Sequence, residues 1–342
     1  MAEGLDDFPF DWIAADLRDG NCIPFLGAGA SSFPKEINAK PPSARMLALE
    51  LARESRYPPY QLILGAASSD DLAAQERFLR AQLDCENLML VSSWVEHGTG
   101  DRPRLRSKLR AHLANEQQPL PYNSLHDLLA RMAQQKPMAI MTTNYDDLAE
   151  LALVKWGVPF DLFVVAIDRP TAEAHVRGSM LFRPAGQDEL KPVTGEQELL
   201  DVEIDSGEIR LRRTVLFKIH GHIGRMRRTD DTFVITEEDY VTFLGRMGSE
   251  NSVIPADLVN LMQSRTLLFL GYGLRDWNFR VLLDRLTRIR VQAMRSYAIA
   301  YDIDAAESRL WDQRNVKVFS ADLNEFVPML RAVWAQTSPP ST

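Results

Sequence analysis

The sequence predicts an α/β protein built on a mostly parallel sheet with helices on both faces. Three observations carry this. Short, nearly continuous apolar runs recur along the chain (CIPFL, PMAIMTTN, FDLFVVA, VLFKIH, TLLFL), the pattern of strands buried on both faces. Segments with apolar residues at three- and four-residue spacing lie between them, as in amphipathic helices. Several of the runs end in glycine-rich or polar turns, so strands alternate with helices and parallel pairing follows.

The elements follow in chain order. Residues 7–18 predict a short amphipathic helix with Trp12, Ile13 and Leu17 on one side. The first strand is expected at about 22–26. From Ala44 to about Gln135 the pattern is helical, and Lys136-Pro137 ends it. Residues 137–144 predict the second strand and 160–166 the third. Two alternating segments flank Asp205-Ser206-Gly207 and predict a hairpin. Further strands are expected at 215–220, 266–270, 295–302 and 316–322. A helix is expected in FRVLLDRLTRI, and another, NEFVPMLRAVW, closes the chain before a Pro/Ser/Thr tail. The expectation is one domain over 1–342, with a helical insertion at about 44–135 and a smaller hairpin-containing insertion at about 168–213.

Bulk properties narrow the function classes. The chain has 342 residues, 45% hydrophobic and 25% charged, enough for a sizeable core. Thirty-nine basic and 47 acidic side chains leave a net charge of −8, which argues against nucleic-acid binding through the whole surface. The two cysteines are Cys22, in the first apolar run, and Cys85, in a polar stretch. They form no Cys-x-x-Cys pair and cannot build a zinc ribbon. The N-terminus is acidic, without the cationic start and apolar core of a secretory signal. No run approaches the roughly 20 apolar residues that span a bilayer. A cytoplasmic protein of a reducing compartment is expected.

Four strand ends carry the chemistry. The first is Gly27-Ala28-Gly29-Ala30-Ser31-Ser32. Glycines there allow close backbone approach, and the following helix start suits a phosphate. Ser32 stands where the usual dinucleotide fingerprint has its third glycine. Glu50, near the spacing of an acidic ribose clamp, falls in a helical pattern, which speaks against an ordinary nicotinamide dehydrogenase. A turn that is merely tight stays open as a reading. The second is Thr142-Thr143-Asn144-Tyr145-Asp146-Asp147, which leaves its strand where open sheets bind ligands. Asp146 alone reads equally as a helix cap. The third is Lys218-Ile219-His220-Gly221-His222. It offers a general base at His220 or a structural histidine. A metal reading of His-x-His has no adjacent ligand set. The fourth is Gly271-Tyr272-Gly273-Leu274-Arg275-Asp276, a second glycine turn. Asp322 leaves the last strand.

In this order the four stretches resemble the Sir2 (sirtuin) superfamily, and most of all its prokaryotic NAD-hydrolase branch. The resemblance covers about residues 20–325. It implies a Rossmann-like NAD domain with a helical insertion. It implies catalytic roles for Asn144 and His220 and a nicotinamide-side role for Asp146. Gly27, Ala28, Gly29, Ser31, Thr143, Gly271, Gly273 and Asp322 are the implied NAD contacts, with no metal. Sirtuin deacylases carry Thr-Gln-Asn-Ile-Asp, a four-cysteine zinc module and a Gly-Ile-Pro-Asp-Phe-Arg loop. Here Thr143 and Tyr145 stand in the first, and ASSFPKEINAKPPSARM takes the place of the last.

The activity so implied is hydrolysis of NAD to nicotinamide and ADP-ribose in antiviral defence. The alternatives are protein deacylation, ADP-ribosyl transfer, and a nucleotide-binding assembly subunit without turnover. The chain ends soon after the NAD domain. Control is therefore expected from homo-oligomer assembly or from a separate partner, such as a HerA-type ATPase or a short-Argonaute-like protein. Basic stretches at 101–110 and 225–228 are either partner surfaces or solvated faces.

Overall fold

The chain begins with a 3-10 turn, Leu5–Asp7, and helix α1, Phe10–Asp19. Ile13 and Leu17 of α1 are buried, whereas Trp12 points out and is 46% exposed, so only part of the expected apolar face is covered. The structure is a computed structural model, and it describes residues 4–33, 40–65, 72–99, 101–114, 120–167, 176–194, 200–205, 208–224, 231–246, 254, 256–272, 281, 284, 295–301 and 303–337. The helix expected in FRVLLDRLTRI, the basic stretch 225–228 and Gly273 lie outside the described residues, save Val281 and Asp284 of that helix.

Strand β1, Cys22–Leu26, leads into a short helix α2, Ala28–Ser32. Then come α3 (Ala44–Glu54), α4 (Pro58–Gly65), α5 (Leu72–Glu86), α6 (Leu88–Thr99), α7 (Arg102–Leu113) and α8 (Ser124–Gln135). Strand β2 (Ala139–Thr142), α9 (Leu148–Lys155) and β3 (Phe160–Val165) follow. After these are β4 (Val176–Arg183), β5 (Lys191–Thr194), β6 (Val202–Asp205), β7 (Glu208–Leu211) and β8 (Thr214–Lys218). The remaining elements are β9 (Gly221–His222), β10 (Thr232–Phe233), α10 (Glu237–Arg246), α11 (Ala256–Gln263), β11 (Thr266–Leu270), β12 (Ser296–Ala300), α12 (Ala305–Asp312), β13 (Val316–Ser320) and α13 (Leu323–Thr337).

Among the described residues one sheet runs in the order β13-β12-β11-β1-β2-β8-β3-β4-β5. All neighbours from β13 to β3 pair in parallel, and β4 and β5 add an antiparallel edge. The hairpin expected around residues 205–207 is the antiparallel pair β6–β7. Pro24 lies inside central β1 although proline has no N–H for a ladder. The register resolves this: β2 joins β1 only at Phe25 and Leu26, beyond the proline.

The strands are apolar throughout because both faces are covered. In β1, Cys22 and Leu26 enter one core with α1, α8, α9 and α13, while Ile23 and Phe25 enter a second core with α11 and Trp311 of α12. Full burial of side chains of this size contributes about 1.5–3 kcal/mol each. Helices α3 to α7 gather around a third core, which also takes Ile223, Phe233 and Ile235 from the β9–β10 arm. Helix α8 instead lies on the sheet: Leu125, Leu128 and Leu129 join the α1 core. Cys85, from a polar stretch of the sequence, is fully buried in the third core, and burial raises its thiol to about 11.

The basic stretch 101–110 is not an open face. Arg110 donates to both carboxylate oxygens of buried Asp231, at 2.7 and 2.8 Å, and to the Gly224 carbonyl. Arg102 pairs with Glu96 and Asp239 and lies over the Phe233 ring. Lys108 pairs with Glu54. The charges that read as a partner surface largely tie α7 to its own neighbours.

Candidate active site

The carboxyl ends of β1, β2, β8 and β11 are adjacent, because these strands are neighbours in the parallel part of the sheet. Chain order reverses direction beside β1, with β2 on one side and β11 on the other. Open α/β sheets bind ligands in the crevice outside such a reversal.

The two glycine turns touch through their backbones. The Gly27 N–H donates to Leu270 O at 2.9 Å, and the Gly29 N–H donates to Gly271 O at 2.8 Å. A Cβ on Gly271, whose φ is +72°, would stand 2.1 Å from the Ala30 nitrogen. These glycines therefore first allow two turns to meet. Tyr272 completes the junction: its hydroxyl donates to Leu26 O at 3.0 Å and lies 3.1 Å from Thr143 Oγ1.

The Leu26 carbonyl also receives the Thr143 N–H at 3.1 Å and the Thr142 hydroxyl at 3.0 Å. One main-chain oxygen at the end of β1 so gathers the β2 and β11 turns. Asn144 follows. Its N–H donates to Thr142 Oγ1, and its side-chain nitrogen donates to Gly27 O and Ser31 Oγ. Asn144 and Ser31 are buried. The Asp146 carboxylate accepts the Leu148 N–H, the first amide of α9, at 3.2 Å, although the N-cap position itself is Asp147, whose side chain makes no cap bond. The same carboxyl interacts with the Ser31 side chain, which places it at the site as well. Burial raises it to about 6, against the opposing charge of Lys218.

His220 lies just beyond β8. The Ile219 N–H donates to Thr142 O at 2.9 Å, and the Ile223 N–H donates to Tyr145 O at 2.8 Å. The histidine segment is thereby docked on the Asn144 loop from both sides. The imidazole stands edge-on to Tyr240 and Phe243, with centroids at 5.3 and 5.6 Å. Burial lowers it to about 3, so it is neutral at ordinary pH. At Gly221, φ is +105°, and a Cβ would stand 2.1 Å from Thr232 O; the β9–β10 arm closes only over a glycine.

Sequence reasoning missed the charged group behind the loop. Lys218 is 0% exposed. Its ammonium donates to Tyr145 O at 3.2 Å, to Asp146 O and to Glu150 Oε1 at 2.9 Å, and lies 3.0 Å from His222 Nδ1, which itself stands 3.4 Å from Glu150 Oε1. Burial alone would raise the Glu150 carboxyl, but Lys218 and His222 outweigh it and hold it well below its ordinary range. Burial and Lys218 lower His222. The signal was present: a lysine inside an apolar run must find partners when the strand is buried.

Asp322, beyond β13, spends a carboxylate oxygen on the Asn324 N–H and side-chain amide at the start of α13. Gly273 lies outside the described residues. Among the described residues no cluster of His, Cys, Asp or Glu has the arrangement of a metal site. None of the described helices is long and apolar enough to cross a membrane.

Comparison with known proteins adds a family. A structure solved for the mechanism and regulation of Sir2 enzymes aligns over 96% of this chain and 98% of its own, at 12% identity and a TM-score of 0.37. A Sir2 homolog–NAD complex aligns over 99% and 98%, at 12% identity and a TM-score of 0.36. Defense-associated sirtuin 2 of Bacillus subtilis is 24% identical over 171 residues, which is 50% of this chain and 12% of that protein. A profile of the SIR2-like domain matches residues 138–319, from the start of β2 to the end of β13, and the chain belongs to the SIR2-like domain family.

Proposed function

We propose that this protein hydrolyses NAD at the nicotinamide–ribose bond. The observation that carries the reading is the meeting of three strand ends: Asn144 is bonded into the first glycine turn, and the His220 segment is docked on the Asn144 loop. The NAD contacts implied for Gly27, Ala28, Gly29, Ser31, Thr143, Gly271, Gly273 and Asp322 belong to the same proposal.

In the reaction the C1′–N bond breaks and its electron pair stays on the nicotinamide nitrogen, so a neutral base departs. The ribose becomes oxocarbenium-like, and a water oxygen adds to C1′ and loses a proton. Neutral His220 takes that proton. Asn144 holds the ribose hydroxyls or the attacking water. Ionised Asp146 orients the nicotinamide amide or offsets the positive charge that develops on the sugar.

Membership in the SIR2-like family and the likeness to a defence-associated sirtuin support an effector role in antiviral defence. The control proposed for it is homo-oligomer assembly or a separate partner of the HerA-type ATPase or short-Argonaute-like kind. Mass spectrometry of NAD incubated with the purified protein tests the chemistry. Nicotinamide and ADP-ribose formed without any peptide support hydrolysis. Products formed only with an acetyl-lysine peptide select deacylation, and bound but intact NAD selects a non-catalytic subunit.

A further inference from the structure

We propose that Lys218 is a positioning residue for the Asn144–Asp146 loop, its buried ammonium pinning the loop's main chain to β8 and α9. The inference rests on the reading of that loop as the NAD-cleaving one.

The register explains the reach. Lys218 pairs with Thr142, the last residue of β2, so it stands beside the point where the loop begins. From there its ammonium takes two successive loop carbonyls, Tyr145 O and Asp146 O. It also takes Glu150 of α9 and lies beside His222 of β9. Burial and the nearby ammonium disfavour the charged form of His222. The three N–H bonds of one cation thus go to two loop carbonyls and a carboxylate of α9, with an imidazole of β9 beside them.

Stability alone does not account for such an arrangement. Replacing a buried ion pair by apolar or neutral groups of similar volume is often neutral or stabilising. What the charge adds is geometry. Pulling two adjacent carbonyls toward one point fixes the turn whose other side presents Asn144 to Gly27 and Ser31. The groups that face the Asp146 carboxyl are Lys218 from β8, Glu150 from α9 and Ser31 from α2. Of the two charges, Lys218 acts more strongly on this carboxyl than Glu150, so removing both leaves burial to raise it further.

The test compares wild type with Lys218→Met/Glu150→Gln, which deletes both charges at nearly constant volume, and with Glu150→Gln alone, which keeps the carbonyl bonds. Hydrogen exchange is read first, since it needs no turnover. The expected result is a double variant that folds, with amides of residues 143–148 exchanging about tenfold faster and those of β1 and β13 unchanged. Glu150→Gln keeps its loop protection. In NAD hydrolysis the double variant loses about 10²-fold in kcat with KM little changed, as displaced reacting groups would cause. Its acidic limb moves to higher pH.

Unchanged exchange at 143–148, or kcat within about twofold of wild type, overturns the proposal. A double variant that does not fold makes Lys218 a stability residue and overturns it equally. If wild type releases no nicotinamide while the double variant still loosens the loop, the NAD reading fails and the positioning role stands.

Discussion

The Asn144 side-chain nitrogen donates to the Gly27 carbonyl and to the Ser31 hydroxyl, each at 2.9 Å. One carboxamide thus joins the end of β2 to the first turn of the chain. It leaves its own oxygen as the group with which to address a substrate. Asn144→Ala removes both roles. Nicotinamide release is expected to fall at least about 10²-fold, the range for loss of a preorganised polar group. Stability is expected to fall by only about 1–3 kcal/mol, because the Gly27 carbonyl and the Ser31 hydroxyl each lose one donor. Chromatography of the released base and chemical denaturation check the two halves. A variant that turns over at the wild-type rate removes Asn144 from the mechanism.

Asp146 sets the expected pH dependence. Its carboxyl titrates at about 6 in the folded protein, raised by burial. Above that pH it is ionised and can offset positive charge on the sugar; below it the charge is gone. His220, lowered to about 3, stays neutral across this range and contributes no limb. The rate should be flat above about pH 7 and fall about tenfold per unit below pH 6. Asp146→Asn should give a low rate without that limb. A pH profile of kcat/KM between pH 5 and 8 measures both.

Much of this fold was legible because its parallel strands are buried on both faces. β1 and β11 occupy the apolar runs CIPFL and TLLFL residue for residue. The edge strand β13 was legible as well, but β4 and β5 at the other side of the sheet were not. β4 carries two arginines in eight residues, which break the apolar run, although Met180 and Leu181 enter the two cores on opposite faces of the sheet. β9 and β10 are two residues each, too short for any period. Placement at strand ends pointed to Asn144, Asp146 and His220. Glu150 could not be read, since only the fold brings it to Lys218, 68 positions away. Burial hid in the same way on α7, where Arg110 looked like one more surface charge.

Gly271→Ala should separate the two glycine turns. The added Cβ meets the Ala30 nitrogen and Gly29 carbon at 2.1 and 2.6 Å, and both obstacles are backbone. The positive φ adds strain of about 1–3 kcal/mol, so the total loss should exceed that range. NAD binding should weaken as well, because the turns that face the substrate no longer meet. Gly245→Ala is the control: nothing lies within 4 Å of its Cβ position, which falls in α10. There alanine should be neutral or stabilise by about 0.5–1 kcal/mol. Chemical denaturation and calorimetric NAD titration distinguish the two.

Arg110 and Asp231 join the helical block to the arm beyond His220. Arg110 holds both oxygens of a fully buried carboxylate and the Gly224 carbonyl. Burial raises the Asp231 carboxyl, and Arg110 opposes that rise. Arg110→Ala leaves the carboxylate buried without this partner, which should cost about 3–5 kcal/mol. Arg110→Met/Asp231→Leu removes both charges and should recover most of that loss, because no charge then remains to be desolvated. Lys108→Ala, two residues away on another side of α7, breaks a pair whose members are 18% and 34% exposed. Water already screens it, so the change should be about 0–1 kcal/mol. If Arg110→Ala costs no more than Lys108→Ala, α7 is not anchored through this pair, and the charges at 101–110 return to being a candidate partner surface.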